Sequence, residues 1–115
     1  MLYDIIHKLK KDNIIYDDLT IENIHTKYSG IINYLKEFYR IDIRFVPYNS
    51  YYTSLLYFTG SKLFNINMRK KAKKLGFKLN EYGLYKNNKI IEIKSEKDIF
   101  KHLNIEYLKP KLRNF

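Results

Sequence analysis

Arg40-Ile41-Asp42-Ile43-Arg44-Phe45, Tyr57-Phe58-Thr59-Gly60-Ser61 and Asn65-Ile66-Asn67-Met68-Arg69 are the three stretches that decide how this chain folds. In the first, apolar and charged residues alternate with a period of two, the spacing of a half-buried strand. Ile41, Ile43 and Phe45 share one face; Arg40, Asp42 and Arg44 share the other, so a lone carboxylate sits between two guanidinium groups. Pro47 has no backbone N–H to continue a ladder and ends the strand. The second stretch closes a short apolar helix that Ser50 can cap and that runs through Phe58. Gly60 suits the left-handed position after it, and Ser61 suits the cap of the next helix. That helix carries the third stretch and runs to about Leu75, before Gly76.

At about 100° per residue, this helix puts Phe64, Met68 and Leu75 on one side with Ala72 at the edge. Lys62, Asn65, Arg69 and Lys73 fall within an arc of about 80° on the opposite side. One face can bury while the other offers an amide and three cations. Such groups suit phosphates and base edges in a groove, and they also suit an ordinary solvated helix face.

Outward from these segments, Leu2, Ile5, Ile6 and Leu9 recur at helical spacing, which predicts an amphipathic helix over 2–11. Ile14-Ile15-Tyr16 reads as a short strand, and Asp17-Asp18 as a turn feature. Residues 24–36 are ambiguous: His25 to Ser29 suit a strand with Gly30 as a bulge or close approach, and Ile31 to Leu35 either continue it or turn helical. Leu79–Leu84 and Ile90–Ile93 read as strands joined by an Asn87-Asn88 hairpin turn. Ser95 and Asp98 open a final helix to about Leu103, and Pro110 begins a basic tail.

The 115 residues carry a formal charge of +10, unevenly spread. Residues 1–39 hold five lysines against six acids, and residues 40–115 hold seventeen basic residues against six acids. Between Lys62 and Lys78 lie seven basic residues and no acid. A one-sided positive field attracts a polyanion, with a plain soluble basic surface as the alternative. Twelve tyrosines supply rings for a core or for stacking on bases. The absence of cysteine excludes disulfides, thiolate metal sites and a cysteine nucleophile, and fits a reducing, intracellular setting. No signal-peptide pattern opens the chain, and no run approaches the ~18 apolar residues of a membrane span. His7, His25 and His102 have no ligand spacing. Asp42 by itself is one carboxylate, where metal-assisted phosphoryl transfer needs several oxygen ligands.

Taken together, Arg40–Arg44, Tyr51-Tyr52, Leu56–Ser61, Asn65 through Met68-Arg69, Leu79–Tyr82 and Ser95–Phe100 resemble, in order and spacing, the family X DNA polymerases of the DNA polymerase beta type, short viral members included. The resemblance is strongest from Arg40 to about Arg113 and weaker over residues 2–39. It implies an α+β chain: a partial nucleotidyltransferase palm sheet over residues 1–49, then a small helical and β-hairpin nucleotide-binding thumb (fingers) domain over residues 50–115. By resemblance Asp42 is the third catalytic aspartate and a Mg²⁺ ligand. Arg40 lies near the primer-terminal phosphate, and Lys27, Lys62 and Lys73 join it as DNA-binding candidates. Tyr57, Phe58 and Gly60 pack against the incoming sugar, with a cis Gly60–Ser61 peptide. Asn65 reaches the incoming nucleotide's minor-groove edge, and Arg69 the templating base. Arg44 is a conformational switch that Glu81 and Tyr82 partner on closing.

The sequence departs from the family pattern in lacking both the earlier Asp-x-Asp and the Gly-Ser-x-x-Arg that holds the triphosphate. Lys62 stands where some relatives have an acid. The reading that follows is the C-terminal portion of a template-directed, Mg²⁺-dependent DNA polymerase serving gap-filling synthesis in base excision repair. Its partners would be gapped or primer–template DNA, a deoxynucleoside triphosphate and an upstream polymerase segment sharing the Mg²⁺; no membrane is expected. The short chain is expected not to polymerise DNA alone. A non-catalytic basic DNA-binding module derived from such a polymerase is the alternative, and a template-independent terminal transferase a third reading.

Overall fold

The computed structural model describes residues 1–20 and 26–114, so His25 lies outside the described residues. Two compact units divide after Phe45. The boundary expected at 49/50 falls within the 3-10 turn Tyr48–Ser50, just past Pro47. Among the described residues no helix is long and apolar enough to cross a membrane.

In the first unit, helix α1 (Leu2–Lys11) is followed by strands β1 (Ile15–Asp18), β2 (Lys27–Tyr34) and β3 (Glu37–Arg44), paired antiparallel in the order β1-β2-β3. Leu2 and Ile6 of α1 bury against Ile15 and Tyr28, with Leu9, Ile32, Ile41 and Ile43 around them. The alternation in β3 therefore does set its inner face. Within the ambiguous 24–36 stretch, Lys27–Tyr34 is a strand. Gly30 sits in regular register opposite Ile41, so it is a close approach and not a bulge. A Cβ there would come within 2.7 Å of the Tyr28 ring. Asp17-Asp18 lies on β1 and not in a turn, because Asp18 is held by the Tyr28 hydroxyl at 2.6 Å and by Lys10 at 2.7 Å. Both bonds favour the carboxylate and hold Asp18 below its usual range; burial and the same bond push the Tyr28 phenol up.

The second unit holds helices α2 (Tyr51–Thr59), α3 (Lys62–Lys74) and α4 (Glu96–His102) and a second antiparallel sheet, β4 (Phe77–Asn80), β5 (Gly83–Lys86) and β6 (Lys89–Ile90). Its core gathers Leu56, Phe64, Met68, Ala72, Leu84, Ile99, Phe100 and Leu103. The Asn87-Asn88 turn forms as expected, both residues at positive φ. The expected Leu79–Leu84 strand is instead two strands, because the Asn80 side chain accepts from the N–H groups of Tyr82 and Gly83 and closes a turn. Of the expected Ile90–Ile93 strand only Ile90 is in β6, which it shares with Lys89. Ala72 is wholly buried while Leu75 is 39% exposed, which reverses their expected roles on α3. Ser50 precedes α2 but makes no cap; its hydroxyl donates to the Tyr82 carbonyl at 2.6 Å. Ser61 and Ser95 do cap, accepting from Phe64 and Asp98. The Pro110 segment is not a loose basic tail: it forms a 3-10 turn that delivers Arg113 into the core with no exposed surface.

Candidate nucleotide and nucleic-acid site

Each unit carries one group of the residues singled out by sequence. On β3 the outward residues are Arg40, Asp42 and Arg44. The ladder places Lys27 opposite Arg44 and Ser29 opposite Asp42. One oxygen of Asp42, Oδ1, accepts from the Ser29 hydroxyl at 2.5 Å and from Arg40 Nε at 3.1 Å. These bonds, the serine first, then the arginine and the field of Arg44, hold the Asp42 carboxyl below its usual range. Sequence reasoning missed Ser29, because nothing in a single strand states which residue lies across the ladder from it.

Asp42 is exposed, so its lowered pKa is a local electrostatic fact and not a stability term. The expected result is that Ser29→Ala moves the Asp42 titration midpoint up towards that of an ordinary aspartate, and that Arg40→Gln does so to a smaller extent. Carboxyl-carbon NMR titration measures both. An unmoved midpoint in Ser29→Ala would remove the hydroxyl as the main cause.

In the second unit the segment from Tyr57 to Lys62 and the α3 residues Asn65, Ile66 and Arg69 line a cleft of about 590 Å³. Five nucleotide candidates, Tyr57, Phe58, Gly60, Asn65 and Arg69, thus line one wall, with Lys62 among them. Tyr57 and Phe58 meet edge to face at 4.9 Å. Asn65 Nδ2 donates to the Tyr57 carbonyl at 2.8 Å, which fixes the amide and leaves its second N–H. The Arg69 guanidinium lies 5.0 Å from the Tyr57 ring centre and pairs with Glu81 at 3.3 Å. Lys73 stands exposed on the last turn of α3, outside the cleft lining.

Gly60 has φ 68° and ψ −156°, not the left-handed helical cap expected. That region is open essentially to glycine alone. The Gly60–Ser61 peptide is cis, the state the resemblance implies. The Ser61 N–H donates to the Arg113 carbonyl at 3.0 Å, so the C-terminal segment holds the turn.

Glu81 and Tyr82 form the β4–β5 turn, braced by Ser54 of α2, which donates to the Glu81 carbonyl at 2.7 Å, and by Ser50 just before α2, which donates to that of Tyr82. Sequence gave no sign of either serine's role. Arg44 belongs to the first unit and Glu81 and Tyr82 to the second, where Glu81 is engaged by Arg69. Of the histidines, His102 Nδ1 lies 2.8 Å from the Asp98 carbonyl, a position one turn along α4, and His7 stacks on Tyr3.

Comparison with known proteins matches residues 54–114 to the DNA polymerase beta thumb. Human DNA-directed DNA/RNA polymerase mu is 40% identical over 78 residues, covering 65% of this chain and 16% of that protein. Rat DNA polymerase lambda is 31% identical over 129 residues, 96% of this chain and 22% of its own length. The repair DNA polymerase X of African swine fever virus is 34% identical over 84 residues, 71% of this chain and 48% of its own. The chain thus spans less than half the length of these relatives.

Proposed function

The chain belongs to the family X DNA polymerases, through a thumb of the DNA polymerase beta type, and from that premise we propose that its second unit positions an incoming deoxynucleotide and the template base for gap-filling DNA synthesis. The observation that carries this reading is the Tyr57–Arg69 cleft, where glycine-only backbone, an anchored amide and a stacked guanidinium line one wall. The minor-groove edge of any Watson–Crick pair offers acceptors at equivalent places. The remaining N–H of Asn65 and the donors of Arg69 match that edge whatever the base, so they report pairing geometry and not identity. The Tyr57–Gly60 backbone would lie along the sugar.

Mg²⁺ belongs to the same proposal. It takes oxygen ligands and commonly one or two protein carboxylates. Asp42 fits as one of them, since it is ionised and, among the described residues, Ser29 and Arg40 both engage its Oδ1. Among the described residues no group of three such side chains is gathered, so the other ligands would come from a further polymerase segment. When bound, Mg²⁺ neutralises phosphate charge and lowers the pKa of an attacking hydroxyl. Arg40 beside Asp42 would hold the DNA backbone by charge-assisted hydrogen bonds to phosphate.

Arg69→Ala tests the proposal in a polymerase whose thumb is this segment. Loss of a groove contact predicts a fall in kcat/KM for correct insertion of about tenfold to a hundredfold, with weaker discrimination against mispairs. Single-nucleotide insertion kinetics on gapped DNA measure both. Unchanged efficiency with unchanged discrimination would leave Arg69 a structural partner of Glu81 and Tyr57 only.

A further inference from the structure

A second cleft in the same unit, of about 420 Å³, lies on the outer face of the β4–β5 hairpin and is lined by Gly76, Phe77, Lys78, Asn80, Tyr85 and the Asn87-Asn88 turn. It shares no lining residue with the Tyr57–Arg69 cleft. We propose that this face binds a single strand of nucleic acid, with a base stacked on Tyr85 and the adjoining phosphate held by Lys78. The inference is separate from the nucleotide site and does not require that site to work.

The placement follows from strand alternation. Leu84 is buried and Phe77 and Leu79 pack on the core, so the residues between them point the other way. Lys78 and Tyr85 are direct partners across the ladder, and side chains of such pairs start about 4.5–5.5 Å apart. Gly83, two residues before Tyr85, has no side chain to hold the ring upright. A Cβ there would come within 3.2 Å of the Tyr85 ring carbon that bears the hydroxyl and 2.9 Å of Ile90, so the half-buried ring leans over Gly83. The face of a tyrosine ring can stack on any base, whatever its identity. Gly76 has nothing within 4 Å of the position a Cβ would take, which leaves the cleft open at that end.

Charge argues for the same occupant. No acid lines the cleft, which Lys78 does line, and none occurs from Lys62 to Asn80 or from Tyr82 to Ile91. Asn87 and Asn88 add amide groups at the rim that can serve either base or phosphate. A protein partner would need an acidic surface; a single strand supplies a phosphate and a base at the spacing of Lys78 and Tyr85, which are partners across the ladder.

The test is binding of fluorescent decathymidylate and of a blunt ten-base-pair duplex to the full chain, read by anisotropy across a salt series. Tyr85→Ala should weaken single-strand binding by about fivefold to a hundredfold, change duplex binding less than twofold, and be rescued by Tyr85→Phe. Lys78→Gln should lower the slope of log affinity against log salt by about 0.7 on the single strand. Amide shifts in the unmodified chain give a readout that no folding defect can cloud: decathymidylate should move Lys78, Tyr85 and Asn87. Wild-type affinity in Tyr85→Ala, equal losses on single strand and duplex, or shifts confined to the Tyr57–Arg69 cleft would each overturn the proposal. Nucleotide insertion by the polymerase is read separately, so failure here leaves the reading of that cleft untouched.

Discussion

Arg113→Ala should cost the second unit about 3–5 kcal/mol of stability, a large share of a domain total on the order of 5–15 kcal/mol. Arg113 is wholly buried. Its Nε donates to the Leu108 carbonyl at 2.8 Å and its Nη2 to Glu96 at 2.6 Å. The guanidinium lies between 5.2 and 5.6 Å from the ring centres of Phe64, Phe100 and Tyr107. A planar, weakly hydrated cation stacks on such faces. Alanine removes the cation and leaves Glu96, 12% exposed, with an uncompensated charge. It also leaves a void among three aromatic side chains.

The same argument predicts what rescues the loss. Pairing Arg113→Met with Glu96→Gln removes both charges and keeps the volume, so this double variant should recover most of the stability, because a buried ion pair gains little over well-packed apolar groups. Urea unfolding followed by circular dichroism gives both numbers. Arg113→Ala within 0.5 kcal/mol of the parent would mean that the pair and its rings hold nothing together.

Arg113 also marks where sequence reading stops. Its partners are Glu96, Leu108 and rings as distant as Phe64, and no periodicity joins them. From sequence it is one more cation in a basic tail. By contrast, Asn65 and Arg69 were legible because they lie one helical turn apart on α3, and the outward trio on β3 because strand alternation is strict. Hairpins divide by turn chemistry. Asn87-Asn88 shows itself, since asparagine tolerates positive φ, but Leu35 and Lys36 take the same conformation between β2 and β3 without any residue that favours it. The break at Glu81-Tyr82 is made by a side chain, since Asn80 accepts from the N–H groups of Tyr82 and Gly83. On α3 a wheel ranks residues by hydrophobicity, whereas burial follows closeness of approach: Ala72 takes the tight place and Leu75 the open one. Ser29, Ser50 and Ser54 act across elements, and their roles appear only once register and packing are set.

Gly60→Ala should destabilise the second unit by about 1–3 kcal/mol and weaken nucleotide binding by about tenfold in the folded protein, an expected binding loss of about 1.4 kcal/mol. The nearest heavy atom to an added Cβ is the Lys62 backbone nitrogen at 3.5 Å, an ordinary contact, so crowding is not the cause. The cost is conformational: with φ 68° and ψ −156°, an L-residue must either bear the strain or let the backbone swing away. A swing displaces what hangs on the turn, since Ser61 caps α3 on one side and holds the Arg113 carbonyl on the other. The wall formed by Tyr57 through Lys62 then no longer matches a sugar laid along it. D-alanine introduced by semisynthesis separates the two effects, because a D-residue takes positive φ as readily as an L-residue takes negative. It should restore stability and, if the backbone path is what the sugar reads, nucleotide affinity as well. Isothermal titration of a deoxynucleoside triphosphate into the gapped-DNA complex of a polymerase with this thumb measures the second quantity. If L-alanine lowers the melting temperature while nucleotide affinity stays at the parent value, Gly60 only ends a helix and the cleft reads the sugar by other groups.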